Sequence, residues 1–207
     1  MAFLVILKFT PVYSNLFSTN LTLPFFYKNK LIHSMTDKLT ISTLQLAEID
    51  SLVSLINSAY RGESSRQGWT TEADLLGGIR TDPSAIKAII DAPDSAIMVC
   101  YTETKRMAGC VYLRMDETEL YLGMLTVAPD IQAKGIGKTL LAWSEDYARK
   151  NGFKKIVMTV IEKRIELIAW YVRHGYQSTG EIKPFPNDPA FGIPKEPLQF
   201  IVLEKNV

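Results

Sequence analysis

Histidine and cysteine are scarce in this chain, two of each, and their scarcity excludes chemistry. Cys100 and Cys110 are too few for a disulfide scaffold. With His33 and His174 far apart in sequence, they also lack the clustered spacing of a zinc site, so no metal is expected. Long apolar runs are missing too. The longest early one, Ala2 to Leu7, falls far short of the ~20 residues a membrane helix needs. No charge of one sign dominates: 23 Lys+Arg stand against 22 Asp+Glu, a net of +1. Whole-chain charge therefore gives no reason to expect nucleic acid or an anionic membrane as partner. What is present is 207 residues, 47% hydrophobic and 22% charged. Those are ordinary proportions for one cytoplasmic globular domain with a sizeable core.

Acid is absent from residues 1–36, which carry Lys8, Lys28 and Lys30 and five of the nine Phe. The remaining 171 residues have 20 basic and 22 acidic groups, a net of −2. So sharp a change marks a boundary between a 1–36 extension and a 37–207 domain. Three readings of the extension stay open: upstream translation with the functional start at Met35, an ordered or disordered extension, and a targeting segment. A secretory signal would put its basic residues before the apolar stretch, and a transit peptide would be Arg-rich; here no Arg precedes Arg61.

From Lys38 on, the periodicities alternate. Leu39–Leu46 reads as a strand. Ile49, Leu52, Val53, Ile56, Ala59 and Tyr60 line one face of a helix that Gly62 stops. Thr70 or Thr71 before Glu72–Leu76 has the form of an N-cap, giving a short second helix ended by Gly77-Gly78. Ala96–Tyr101 and Gly109–Met115 read as a hairpin, and a centre near Lys105 would make Cys100 and Cys110 cross-strand neighbours, two buried free thiols. Glu119–Val127 is a strand whose Gly123 marks a bulge or a close approach. A helix from Ile136 to Asn151-Gly152, a strand Lys155–Val160, a helix Ile165–Arg173 and strands Tyr176–Ile182 and Gln199–Glu204 complete the order. Residues 184–197 hold five of the ten prolines, a stiff loop suited to wall a pocket. The pattern is one mixed α/β sheet.

The strand ending at Val127 runs through a short turn into a helix at Gln132-Ala133-Lys134-Gly135-Ile136-Gly137-Lys138-Thr139. The first N–H groups of a helix lack intrahelical partners, Gly135 and Gly137 let an anion approach the backbone, and Lys134 and Lys138 add charge, so the turn suits a phosphate. A P-loop would need Gly at 132, where Gln132 stands; a dinucleotide fingerprint would need Gly at 140, where Leu140 stands. Gln132, Gly135 and Gly137 do satisfy Q-x-x-G-x-G, and Tyr171, Gly175 and Tyr176 follow in Arg164–Tyr176 after one strand. Together these blocks resemble the GNAT (Gcn5-related N-acetyltransferase) superfamily over roughly residues 38–207, with a small bacterial-type member the nearest comparison.

The resemblance implies the GNAT fold, α/β with a mixed, mostly antiparallel sheet flanked by helices, and an acetyl-CoA-dependent N-acetyltransferase. It assigns the backbone of Leu125, Thr126 and Val127 to the pantetheine arm and residues 132–139 to the pyrophosphate. Arg164 stands where the family commonly has a cofactor-contacting Asn, and Tyr171 where it has the acid that protonates the departing thiolate. The N–H of Leu125 becomes the donor to the developing oxyanion. Where some members carry a Glu base this chain has Tyr121, so Glu119, two residues earlier on the same strand face, is the expected base, directly or through a water. Glu63 and Glu72 are alternatives. Arg61, Glu63, Arg66 and Trp69 form a polar and aromatic loop able to read an acceptor carrying a carboxylate and an ammonium; Glu63, Trp69 and Tyr121 are the expected acceptor contacts. The expected acceptor is a small-molecule amine, with a protein Nα or lysine acceptor as the alternative and a P-loop-like nucleotide binder behind it. Homodimers, common in the family, are compatible with the sequence.

Overall fold

The computed structural model describes residues 39–207. The expected boundary at residue 36 and the readings of the extension lie outside the described residues. Nine strands and five helices form: β1 (Thr40–Thr43), α1 (Ile49–Tyr60), α2 (Gly62–Ser65), β2 (Leu76–Gly77), α3 (Pro83–Asp91), β3 (Ser95–Tyr101), β4 (Met107–Met115), β5 (Glu119–Val127), α4 (Ile136–Lys150), β6 (Lys155–Ile161), α5 (Ile165–Arg173), β7 (Gln177–Pro184), β8 (Ile193–Pro194) and β9 (Gln199–Asn206). Seven strands make one sheet in the order β1-β3-β4-β5-β6-β9-β7. Every pairing is antiparallel except β5 with β6. Among the described residues no helix is long and apolar enough to cross a membrane.

Two cores sandwich the sheet. On one face Leu52 and Ile56 of α1 and Ile86 and Ile89 of α3 pack on Ile97, Val99 and Cys110. On the other, Leu140, Leu141 and Ala148 of α4 and Tyr171 of α5 pack on Leu113, Leu120, Leu122 and Met158. Both patterns are the 3.6-residue helix stripe meeting the two-residue alternation of the strands.

Three local expectations are revised. Glu72–Leu76 is a single turn, with Leu75 and Leu76 N–H bonded to the Glu72 carbonyl. The chain then extends to pair Leu76 and Gly77 with Pro194 and Ile193, because a two-strand contact with the proline-rich loop offers more than a helix ended by two glycines. Secondly, α3 appears where no helix was expected; Asp82 caps it, accepting from the Ala85 N–H, with Pro83 in its first turn. Thirdly, the β3–β4 register pairs Cys100 with Gly109 and Val99 with Cys110. That one-residue slip sends the thiols to opposite faces, Cys100 to the α4 side and Cys110 to the α1–α3 side. Both are free and buried.

Candidate active site

Two features of β5 build the site. Its parallel pairing with β6 lasts only from Glu119–Tyr121 against Lys155–Val157, although β6 continues to Ile161 along β9. Beyond Tyr121 the strands splay, leaving a window in the sheet. Secondly, β5 bulges: Cys110 faces Thr126 and Tyr112 faces Gly123, so Val111 stands opposite two residues, Met124 and Leu125. Met124 takes a φ of +50° to make the step. The bulge follows immediately after Gly123, the position that marked it in the sequence, and the extra residue reverses the strand's faces. Before it, Leu120 and Leu122 point to the α4 core; after it, Met124 points to the α1–α3 core. Leu125 and Val127 accordingly turn to α4, where a Cβ on Gly137 would lie 3.9 Å and 3.6 Å from them.

The glycine turn sits beside this reversal. Ala133 and Gly135 both have left-handed backbone, φ +65° and +78°, and the first intrahelical bond of α4 runs from Thr139 N–H to the Gly135 carbonyl. The N–H groups of Ile136, Gly137 and Lys138 thus begin the helix without intrahelical acceptors. A left-handed step feeding a helix start gathers N–H groups into an anion-binding concavity. Ala133, Lys134, Gly135 and Lys138 are exposed, so an anion can reach it. The residues present therefore fit a pyrophosphate. Gln132 itself holds the turn in place: its Oε1 accepts from the Trp69 N–H at 2.6 Å and its Nε2 donates to the Val127 carbonyl at 3.3 Å. Thr139 Oγ1 bonds back to Gly135 O. Thr126 is buried with its hydroxyl on the Met124 carbonyl, facing away from the turn.

The window opens on the α1–α3 side into a cleft of about 1100 Å³. Six of the expected site residues line it: Glu72, Glu119, Tyr121, Leu125, Arg164 and Tyr171. Glu63 and Trp69 do not. Glu63 is solvated, its side chain 93% exposed beside Arg66, and Trp69 stands by the glycine turn. Glu119, the expected base, is distant from Leu125: allowing for the bulge, the strand advances by about five residues, about 17 Å. It is ion-paired with Lys155 at 2.9 Å, and Lys155 also holds Glu204. At that separation Glu119 would reach a group at Leu125 only through water. Tyr121 is nearer, its hydroxyl bridged to Thr159 Oγ1 at 2.8 Å across the start of the splay.

Tyr171 reaches the window from α5, 5% exposed. Burial pushes its phenol well above the ordinary value, the neighbouring Tyr60 adds to this and Arg164 opposes it, so the hydroxyl keeps its proton at physiological pH. Tyr60, at the end of α1, was legible only as a helix-face residue. Its hydroxyl donates to the Leu125 carbonyl at 3.1 Å. Two guanidiniums lie against its ring, Arg80 at 5.3 Å and Arg164 at 5.7 Å from the centroid. Burial raises the Tyr60 phenol while those two cations pull it down.

Glu72 is not an available base. It is buried between Arg61 and Arg164, 3.1 Å from each. Arg164 also donates to Thr70 Oγ1 at 3.0 Å. No sequence signal linked residues 61, 72 and 164; only packing brings them together. The proline-rich loop closes the far side, through Pro186, Pro189 and Phe191. It is anchored by β8 on β2, by Arg61 Nη2 to the Phe191 carbonyl and by Lys195 Nζ to the Ala73 carbonyl. Gly192, at φ +102°, lies so close to the Arg61 guanidinium that a Cβ there would collide with it.

A parallel-strand split, a bulge, a glycine turn at a helix start and a tyrosine in the gap meet at one place. The sequence matches the Acetyltransferase (GNAT) family over residues 50–176, and the chain belongs to that family. Solved structures share its fold. The ribosomal-protein-S18-alanine N-acetyltransferase of Escherichia coli superposes with a TM-score of 0.61 at 16% identity, over 82% of this chain and 94% of that one. Spermidine N-acetyltransferase of Vibrio cholerae, solved with CoA and spermine, gives 0.61 at 15% identity over 81% and 95%. The PaiA N-acetyltransferase of Thermoplasma acidophilum, solved with coenzyme A, gives 0.61 at 17% identity over 82% and 99%. No curated protein sequence matches the chain.

Proposed function

We propose that the protein transfers the acetyl group of acetyl-CoA to the primary amine of a small molecule. The observation that carries this is the window between β5 and β6, with the glycine turn on one side of the sheet and the cleft on the other. Two substrates can therefore meet through the sheet from opposite faces. Acetyl-CoA supplies the activated thioester. Residues 132–139 would hold its pyrophosphate, and the backbone of Leu125 to Val127 its pantetheine arm. The Leu125 N–H is suited to donate to the carbonyl oxygen as charge develops there. Tyr171 keeps its proton and donates it, as a hydrogen bond, to the departing sulfur. Because Glu119 is remote and Glu72 is held by two arginines, the acceptor amine loses its proton to solvent, through the water-accessible cleft mouth, rather than to a dedicated carboxylate.

A peptide acceptor needs an open groove, and the anchored loop 184–197 supports a small acceptor instead. The test is a thermal shift of the full chain with acetyl-CoA and with Mg²⁺-ATP, followed by a CoA-release screen across amines. A ligand at a hundred times its dissociation constant adds about 2.7 kcal/mol. Stabilisation by acetyl-CoA and turnover with a small amine are expected. Stabilisation by Mg²⁺-ATP alone, or turnover confined to peptides, would overturn the reading.

A further inference from the structure

The inner end of the cleft carries more positive charge than the fold consumes. Arg61 and Arg164 flank a single buried carboxylate, Glu72, and Arg80 adds a third cation over the neighbouring Tyr60 ring. Asp82, the next acid along the wall, is committed to the start of α3, accepting from Ser84 Oγ and the Ala85 N–H.

The three guanidiniums differ in how far their donors are used. Arg61 is spent entirely: it bonds Glu72, the Gly77 and Ile79 carbonyls and the Phe191 carbonyl. Arg164, only 7% exposed, donates to Glu72 and Thr70, and its Nε is buried with no partner among the described residues. Arg80 has no carboxylate partner among the described residues and lies over the Tyr60 ring. A buried cationic donor left unfilled is costly, and a planar carboxylate matches the guanidinium fork.

We propose that Arg80 and Arg164 form a subsite for a carboxylate carried by the acceptor, so that the substrate is an amino acid or a closely related amino carboxylate. This rests on the acetyl-transfer reading above. The position fits the chemistry, because Tyr60, the ring both cations lie against, is bonded to Leu125 at the bulge. An anion held there lies within one small molecule's length of the Leu125 backbone, with its amine toward Tyr171. The other end of the cleft has the opposite sign, five carboxylates from Asp116 to Glu204 standing against Arg114, Lys155 and Lys183. A carboxylate is repelled from that end, whereas a polyamine would be drawn to it. The cofactor's phosphates do not account for the subsite, since the glycine turn that suits them does not line this cleft.

The experiment uses the full chain, wild type and Arg80→Gln, with free L-amino acids, their carboxamides and spermidine. CoA release is read with acetyl-CoA present, and thermal shift both with saturating CoA and without it. At least one amino acid should be acetylated, with its carboxamide at least about tenfold poorer in kcat/KM. Arg80→Gln should cost the amino acid about tenfold, chiefly in KM, and leave the carboxamide and the KM for acetyl-CoA within about twofold. Preference for spermidine or carboxamides overturns the subsite. So does a rise in the KM for acetyl-CoA in Arg80→Gln, or the absence of amino-acid binding and turnover while acetyl-CoA binds. If acetyl-CoA itself fails to bind, the transfer reading falls separately. The CoA-free shift then decides the subsite: stabilisation by an amino acid that Arg80→Gln abolishes upholds it, and none overturns it.

Discussion

The Tyr60 hydroxyl donates to the Leu125 carbonyl at 3.1 Å, tying the last residue of α1 to the bulge of β5 across 65 positions of sequence. The bond fixes the bulge backbone at the point where the N–H of the same residue is assigned to the reaction. Tyr60→Phe removes this bond and keeps the ring. We expect a stability loss of about 1 kcal/mol, read by thermal unfolding, and a kcat lowered several-fold with little change in the KM for acetyl-CoA. An unchanged kcat would detach the bulge from catalysis.

Tyr171→Phe and Glu119→Gln separate the acid from the carboxylate expected as base. Tyr171→Phe should lower kcat by about ten- to a hundredfold. Glu119→Gln, about 17 Å from Leu125 along the strand, should change kcat by less than about threefold. Because burial raises the Tyr171 phenol above its ordinary value, the wild-type rate should climb with pH as the acceptor amine deprotonates, with no alkaline decline from this group below pH 10. A falling limb near neutrality, abolished by Tyr171→Phe, would contradict the assignment.

Glu72→Gln leaves Arg61 and Arg164 buried without their shared counter-charge. Breaking such a pair from one side costs about 3–5 kcal/mol, so the variant should melt far below wild type. The loop anchored by Arg61 should then become sensitive to limited proteolysis near Phe191. Wild-type melting and protection would mean that the network contributes little.

Both cysteines are shielded. Burial pushes each thiol up to about 12. Neither should be alkylated at pH 8 in the native protein, and both should react once it is unfolded. The linkage has a definite sign. A pKa raised on folding gives a contribution that is full below the unfolded value, about 9, and is lost as pH rises toward 12. Alkaline unfolding should therefore weaken when Cys110 is replaced by Ala, measured as the slope of unfolding free energy above pH 9. An unchanged slope would refute the shift.

Much of this protein is legible from local chemistry. Helix stripes, strand alternation, the glycine turn at Gln132–Gly137 and the bulge announced by Gly123 depend on neighbours within a few residues, so the sequence carries them directly. The same holds for the pair of motifs that identify the family. What is not local had to wait for packing. A one-residue register slip, invisible in composition, puts Cys100 and Cys110 on opposite faces. The turn at Glu72 becomes a strand contact because residues 193–194 arrive beside it. Tyr60, Arg80, Glu72 and Arg164 lie on four different segments, and no spacing rule joins them. Only folding brings them together at the inner end of the cleft, where a guanidinium without a counter-charge becomes a selective feature rather than a solvated side chain.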